Sequence, residues 1–346
     1  MKTSPEAIRR VFAAACLGDA LGAATEAMHP DDIVAVFGGR VDRLLPPPPK
    51  APFAAGLTPG RLTDDATQML AMARRIIATG GRPTVNDAVV GMLDWAKDGD
   101  VFARFAGPTT RIAVEQLKAG ADPAGVASPA VYSCMFGTSN GGAMRAPAAG
   151  CARPGHPAEA AKLAAILSAP THNTQVAFGG AGAVAGAIAA GLGGAKFANI
   201  EEAAVIGARA GEAEAVAWGR VVGGAGVIRR IGMAVEIGRH HAGDVHAAAA
   251  ELTEVIGNGV AMAEAVPHAF GLVVAARGNA WQTILGAVNG GNDSDTIAMI
   301  AGTVAAAYEP SESWPADILA EIERQNGLDL AAFAAEFAAS LPPETA

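Results

Sequence analysis

The sequence has few aromatic residues, few charged residues and few cysteines, and each shortage narrows the range of folds. Aromatic side chains make up 5% of the 346 residues and charged side chains 17%, whereas 51% are hydrophobic. A core with so few rings must be built from small side chains, which let helices approach each other closely. Cys16, Cys134 and Cys151 are odd in number and lack CxxC spacing. This pattern favours reduced thiols in a cytoplasmic protein over a disulfide framework.

Positive charge is also scarce, since the formal net charge is −9. Such an acidic chain argues against a nucleic-acid or anionic-membrane partner. The apolar run 11–15 before Cys16 is too short for a signal peptide, so the N-terminus is predicted to be a helix of the mature fold. The uncharged segment 175–195 is as long as a membrane span, but Ala and Gly contribute little transfer free energy. We therefore predict a helix buried in the protein core.

Helical periodicity dominates the chain, and strand signals are nearly absent. Short linkers marked by Gly or Pro separate segments in which apolar residues recur at helical spacing. These segments are 5–23, 67–79, 86–97, 109–118, 157–168, 200–222, 225–237, 245–256, 281–288, 295–307, 315–326 and 328–340. No shift in composition and no repeat of fixed period divides the sequence. The prediction is an all-α fold in one compact domain, 1–346.

Two acidic segments, residues 63–65 and 292–296, carry the clearest chemical signal. Each places carboxylates beside a hydroxyl directly before a predicted helix. Hard divalent cations prefer such oxygen ligands, and two acidic loops brought together can hold two ions. A segment of this kind taken alone is more often a helix cap or a solvated turn than a metal site. The oxygen-bearing side chains in question are Thr63, Asp64, Asp65, Asp293, Asp295 and Thr296.

Other segments become informative alongside the acidic loops. A small-residue run, 18–22, is followed by Glu26, and a glycine-containing loop spans 140–145. His172 precedes the Ala/Gly-rich segment. In this order and spacing, the chain resembles the ADP-ribosylglycohydrolase family over roughly residues 8–310. The resemblance implies an orthogonal helical bundle whose central cleft holds two Mg²⁺ ions, or Mn²⁺ in some members, and hydrolyses the glycosidic bond of ADP-ribosyl compounds.

The resemblance also implies roles for individual residues. The six oxygen-bearing side chains of the acidic loops match the metal ligands, and Glu26 matches an acidic residue that sits over the metals. A metal-activated water would be the nucleophile, with Asp64 or Glu26 as its base; the residues expected to be catalytic are Glu26, Asp64 and Asp293. The expected substrate-binding residues are Gly137, Ser139, Asn140, Gly141, Gly142, Met144, Arg145 and His172.

Purely structural roles remain open for three of these residues. Arg145 also suits a structural ion pair, His172 could cap a helix, and Met144 could pack in the core. Three positions depart from the family pattern. Ala66 stands where a Thr is usual, and Asn292 replaces a Gly. An Asp found in some arginine-specific members is replaced by Phe105, so the leaving group is left open.

Three functions are therefore weighed. The leading hypothesis is a magnesium-dependent hydrolase of ADP-ribosyl or related ribosyl compounds, with a small molecule or an ADP-ribosylated protein as substrate. The second is an N-glycosidase of free nucleosides or nucleotides, which the change at Phe105 favours. The third is a non-catalytic, crystallin-like or ADP-ribose-binding relative. The intact set of acidic ligands argues against the third.

Overall fold

The structure is a computed structural model that describes residues 4–122, 126, 128, 129 and 131–342. These residues form 17 α-helices and no β-strand, which confirms the prediction of an all-α fold. In chain order the helices are α1 (Pro5–Gly22), α2 (Pro30–Phe37), α3 (Asp64–Ala78), α4 (Val85–Trp95), α5 (Gly99–Phe105), α6 (Pro108–Lys118), α7 (Ala146–Ala152), α8 (Pro157–Ser168), α9 (Gln175–Leu192), α10 (Ile200–Trp218), α11 (Val227–His240), α12 (Val245–Val255), α13 (Met262–Ala275), α14 (Ala280–Val288), α15 (Ser294–Tyr308), α16 (Ala316–Asn326) and α17 (Leu330–Ser340).

Every predicted helical segment overlaps an observed helix, but four helices were not predicted: α2, α5, α7 and α13. The first three have only seven or eight residues, too few to show a helical period. Helix α13 is apolar on nearly every side and contains Pro267, which in a sequence reads as a helix breaker. Helix α3 begins at Asp64, earlier than predicted, because Thr63 caps it within the acidic loop.

Helix α9 lies inside the protein, surrounded by other helices. By length and composition it is apolar enough to cross a membrane, yet 83% of it is buried within the protein. It packs along α10 through glycines on both helices: a Cβ on Gly207 would lie 2.0 Å from the Gly182 carbonyl oxygen, and one on Gly211 would lie 2.0 Å from the Phe178 oxygen. The two backbones are therefore in direct contact, which only glycine permits.

This contact predicts a large penalty for one added methyl group. We expect Gly207→Ala to lower the free energy of unfolding by about 2–3 kcal/mol, since the methyl group meets backbone that cannot move aside. Gly232→Ala in α11 is the matched control, because its Cβ would lie 3.8 Å from the nearest atom. Helix propensity should make that variant more stable by up to about 1 kcal/mol. Urea denaturation of both variants measures the difference; equal effects would contradict the packing argument.

The first and fifteenth helices bring distant parts of the sequence together. Helix α1 packs along α15, and the small-residue run 18–22 forms the contact. A Cβ on Gly18 would lie 2.4 Å from the Met299 nitrogen, and one on Gly22 would lie 2.3 Å from the Asp295 Cα. The contact therefore ends at the second acidic loop, and this fixes where that loop stands relative to α1.

Candidate active site

The two acidic loops lie on one cavity of about 550 Å³. The N-terminal turns of α3 and α15, the loop after α1 and the 3-10 helix Asn140–Gly142 surround it, and residues 104–112 form a further wall. The two acidic loops therefore lie close together in the structure, as the sequence predicts. Five carboxylates line the cavity: Glu26, Asp64, Asp65, Asp293 and Asp295.

The first acidic loop is held by a carboxylate from α1. Asp19 is fully buried and accepts hydrogen bonds from the backbone N–H groups of Thr63, at 3.0 Å, and Ala66, at 2.9 Å. The Thr63 hydroxyl in turn accepts the N–H of Asp65 at 3.3 Å. These bonds satisfy N–H groups in the first turn of α3, which have no partner within the helix. Asp64 and Asp65 are therefore left free to line the cavity.

Hydrogen bonds hold the second acidic loop, both to the cavity wall and within the loop itself. Asp293 accepts one hydrogen bond from the Asn140 amide and another, at 3.2 Å, from the Thr296 hydroxyl. Asp295 accepts the backbone N–H of Thr296 at 3.0 Å. The first residue of the loop, Asn292, has a φ of 55°, a conformation that Asn tolerates better than most residues. Asn can therefore replace the Gly that is commoner there.

Glu26 reaches the site from a loop that is bonded to the second acidic segment. The N–H of Ala27 donates to the Asn292 carbonyl at 2.7 Å, and the N–H of Asn292 donates to the Met28 carbonyl at 2.9 Å. Ala27 has a φ of 62°, so the chain turns sharply directly after Glu26. The Glu26 Oε2 atom is buried and has no hydrogen-bond partner among the described residues.

Burial raises the pKa of every carboxylate on the cavity, and repulsion from neighbouring carboxylates raises it further for Glu26, Asp64, Asp65 and Asp293. Burial is the largest cause in each case. The pKa of Asp293 rises to about 7 and that of Asp295 to about 6. The charge of Asp295 is the second cause for Glu26, whose pKa rises to about 10, and it also raises the pKa values of Asp64 and Asp65. Positive charge in the cavity would therefore relieve a large electrostatic cost.

The oxygen atoms of this site fit hard divalent cations. Oδ2 of Asp65 and Oε2 of Glu26 are buried and find no hydrogen-bond donor in the part of the chain that the structure describes, a costly state that a cation would relieve. Thr63, which was predicted as a ligand, is fully buried and does not line the cavity, whereas Thr296 does. Within the described part of the chain, no three Asp, Glu, His or Cys side chains already form a metal-binding cluster.

The predicted substrate-binding residues divide into two groups. Those that line the cavity are Ser139, Asn140, Gly141, Met144 and His172. Those that do not are Gly137, Gly142 and Arg145. Arg145 is fully buried and donates to Gln68 and Thr171, so it neither reaches a ligand in the cavity nor pairs directly with a carboxylate.

Sequence reasoning missed an apolar wall of the cavity. Phe53, Ile112 and Val260 lie on it together with Phe105. Phe53 and Val260 come from irregular segments with no recognisable motif, so no local signal marks them. Thr67, the hydroxyl residue behind Ala66, lies elsewhere: it donates to the Thr63 carbonyl and accepts from Trp95.

Comparison with known proteins agrees with the fold and the residue pattern. The sequence profile of the ADP-ribosylglycohydrolase family matches residues 2–344. The chain is 28% identical over 326 residues to the uncharacterized protein YegU of Escherichia coli (strain K12), covering 93% of each protein. Its structure is similar to that of an ADP-ribosylglycohydrolase-related protein complex, with a TM-score of 0.67 and 21% identity over 98% of this chain and 99% of the other. The chain belongs to the ADP-ribosylglycohydrolase family of hydrolases, which act on the glycosidic bonds of ADP-ribosyl compounds.

Proposed function

We propose that this protein is a divalent-metal-dependent hydrolase that cleaves the bond between ribose and its leaving group in ADP-ribosyl compounds. The observation that carries the proposal is the set of five carboxylates on one cavity, where buried oxygens of Asp65 and Glu26 have no donor within the described ranges. The cavity volume of about 550 Å³ falls within the range of small-molecule sites.

Two magnesium ions, or manganese, are the proposed cofactors. Bound cations supply Lewis acidity, which orients ribose hydroxyls and acidifies water. The residues proposed to hold them are Asp64, Asp65, Asp293, Asp295 and Thr296. Thr63 does not line the cavity, and its role is to position Asp65, whose backbone N–H donates to the Thr63 hydroxyl.

The hydrogen-bond pattern favours Glu26 over Asp64 and Asp293 as the base that takes a proton from the attacking water. Asp64 Oδ2 accepts a hydrogen bond from Gln68 at 3.0 Å, which stabilises its charged form and weakens it as a base. Both oxygens of Asp293 also accept hydrogen bonds. Glu26 Oε2 has no donor among the described residues, so it is free to accept a proton.

The enzymatic test uses ADP-ribosyl-arginine, ADP-ribosyl-serine, ADP-ribosylated protein and a panel of free nucleosides, each with and without Mg²⁺. We expect release of ADP-ribose that requires Mg²⁺ or Mn²⁺. Hydrolysis of nucleosides alone would instead support an N-glycosidase, the second candidate, which the apolar side chains of Phe53, Phe105 and Ile112 on the cavity wall favour. If no substrate turns over but ADP-ribose binds, the protein is a non-catalytic relative.

Metal binding can be tested through the thermal stability of the protein, without a known substrate. An ion that binds only the folded protein stabilises it by about 2.7 kcal/mol at 100 times its dissociation constant. We therefore expect millimolar Mg²⁺ to raise the melting temperature over that in EDTA. Asp293→Ala should abolish the rise. An equal rise in the wild type and the variant would show that Mg²⁺ acts elsewhere on the protein.

A further inference from the structure

A buried chain of hydrogen bonds connects the two sides of the cavity through Arg145. On one side, Arg145 Nε donates to Gln68 Oε1 at 2.9 Å, and Gln68 Nε2 donates to Asp64 at 3.0 Å. On the other side, Arg145 Nη1 bonds Thr171 Oγ1 at 2.7 Å. Thr171 Oγ1 lies 2.7 Å from His172 Nδ1, and His172 Nε2 lies 2.7 Å from Ser139 Oγ.

The direction of each bond follows from the groups involved. A guanidinium only donates, so Thr171 Oγ1 accepts from Arg145 and keeps a single proton to give. The two places for that proton are His172 Nδ1, at 2.7 Å, and the Ser168 carbonyl, at 3.5 Å. The Ser168 carbonyl already accepts the backbone N–H groups of Thr171, at 3.1 Å, and His172, at 2.9 Å. The proton therefore goes to His172 Nδ1.

This direction fixes the state of the imidazole. If Nδ1 accepts, the proton of the neutral ring resides on Nε2, and Nε2–H donates to Ser139 Oγ. Burial and the charge of Arg145 lower the pKa of His172 to about 3, which keeps the ring neutral. The ring fits closely here, since a Cβ on Gly141 would lie 2.6 Å from its Cε1 atom. Ser139 Oγ, which has no other partner among the described residues, keeps its own proton for the cavity.

We propose that Thr171 and Arg145 are positioning residues that hold His172 as the Nε2–H tautomer and thereby make Ser139 a hydrogen-bond donor to the ligand. The group that Ser139 faces in the substrate is then an acceptor oxygen, either a phosphoryl or a hydroxyl oxygen, and not an N–H donor. His172 itself orients Ser139 and carries no proton in the reaction. The part concerning substrate rests on the proposed function, whereas the tautomer does not.

The tautomer is tested by ¹⁵N NMR on protein labelled at its histidines, with His172→Gln used to assign the signal. We expect the wild type to show a protonated Nε2 and an unprotonated Nδ1 from pH 6 to pH 8. Thr171→Val, which is nearly isosteric, removes the donor to Nδ1 and should give a mixture of tautomers. Thr171→Ser should restore the wild-type pattern. A protonated Nδ1 in the wild type would overturn the proposal, as would an unchanged tautomer in Thr171→Val.

Kinetics separate this positioning role from a merely structural one. In Thr171→Val we expect KM to rise about tenfold, because a change of this size corresponds to the loss of one hydrogen bond to the substrate. The value of kcat and the dissociation constant for Mg²⁺ should stay unchanged. Arg145→Met removes both arms of the chain and should weaken Mg²⁺ binding as well. Equal loss of kcat and metal affinity in Thr171→Val would contradict a specific role. If neither wild type nor variant turns over any substrate, the proposed function fails, and the NMR result still decides the tautomer.

Discussion

Asp65→Asn is expected to lower kcat/KM by about 10³-fold or more while making the metal-free protein more stable. The loss follows from removing a proposed cation ligand, because metal charge contributes several kcal/mol to a transition state. The gain in stability follows from the electrostatics of the cavity. Burial and the neighbouring carboxylates raise the pKa of Asp65, which shows that its charge is unfavourable in the absence of cations. Neutralising the side chain removes that cost, of about 1–2 kcal/mol.

The two effects are measured separately, by steady-state kinetics in Mg²⁺ and by urea denaturation in EDTA. Asp317→Asn is the matched control, since Asp317 is an exposed carboxylate in the first turn of α16, away from the cavity. It should leave kcat/KM unchanged and lower stability slightly through the helix dipole. Asp65→Asn with wild-type turnover, or with lower stability in EDTA, would contradict a repulsive cluster that cations neutralise.

The helices and the acidic loops were predictable because both are local signals. Apolar periodicity marks each long helix whatever its neighbours are, and an Asp-rich segment before a helix shows its chemistry in three to five residues. The order of the motifs then placed the loops in one family. The short helix α5 and helix α13, which is apolar on nearly every side, leave no such periodic signal, and so they were missed.

The role of Arg145 could not be predicted, because it depends on partners far away in the sequence. A loop of the form Asn-Gly-Gly-Ala-Met-Arg predicts a ligand contact, and the Met144 side chain does reach the cavity. Arg145 turns instead into the core, where Gln68 and Thr171 accept hydrogen bonds from its guanidinium group. Gln68 had one local signal, its position one helical turn after Asp64. The bond to Thr171 becomes visible only when the loop before α7 and the segment before α9 are packed together.

The same reasoning applies to Asp19, whose function is set by a contact across the fold. In the sequence it is a lone carboxylate in a small-residue helix. In the structure it caps the first turn of α3, and it is buried with its pKa raised to about 7, mainly by that burial. The first acidic loop is thus held by α1 through Asp19, and the second is held by α1 through Gly22. Helix α1 therefore sets the distance between the two halves of the proposed metal site.

Gly22→Ala is accordingly expected to lower catalytic activity and Mg²⁺ affinity more than it lowers the stability of the fold. Its Cβ would lie 2.3 Å from the Asp295 Cα, so the second acidic loop must shift away from α1. A displacement of about 1 Å in a catalytic group costs about 10²-fold in rate, and we expect kcat/KM and Mg²⁺ affinity to fall by that order. Gly18→Ala is the comparison, since it adds the same methyl group one turn earlier, 2.4 Å from the Met299 nitrogen.

Both substitutions overpack the contact between α1 and α15, so each should lower the free energy of unfolding by about 1–3 kcal/mol. Only Gly22→Ala presses on Asp295, whereas Gly18→Ala presses on the following turn of α15, beyond the loop. Calorimetric titration of Mg²⁺ and urea denaturation of both variants separate the two effects. Equal loss of metal affinity in both would mean that the whole of α15 moves as a rigid body. Loss confined to Gly22→Ala would show that backbone contact at this one glycine sets the position of Asp295.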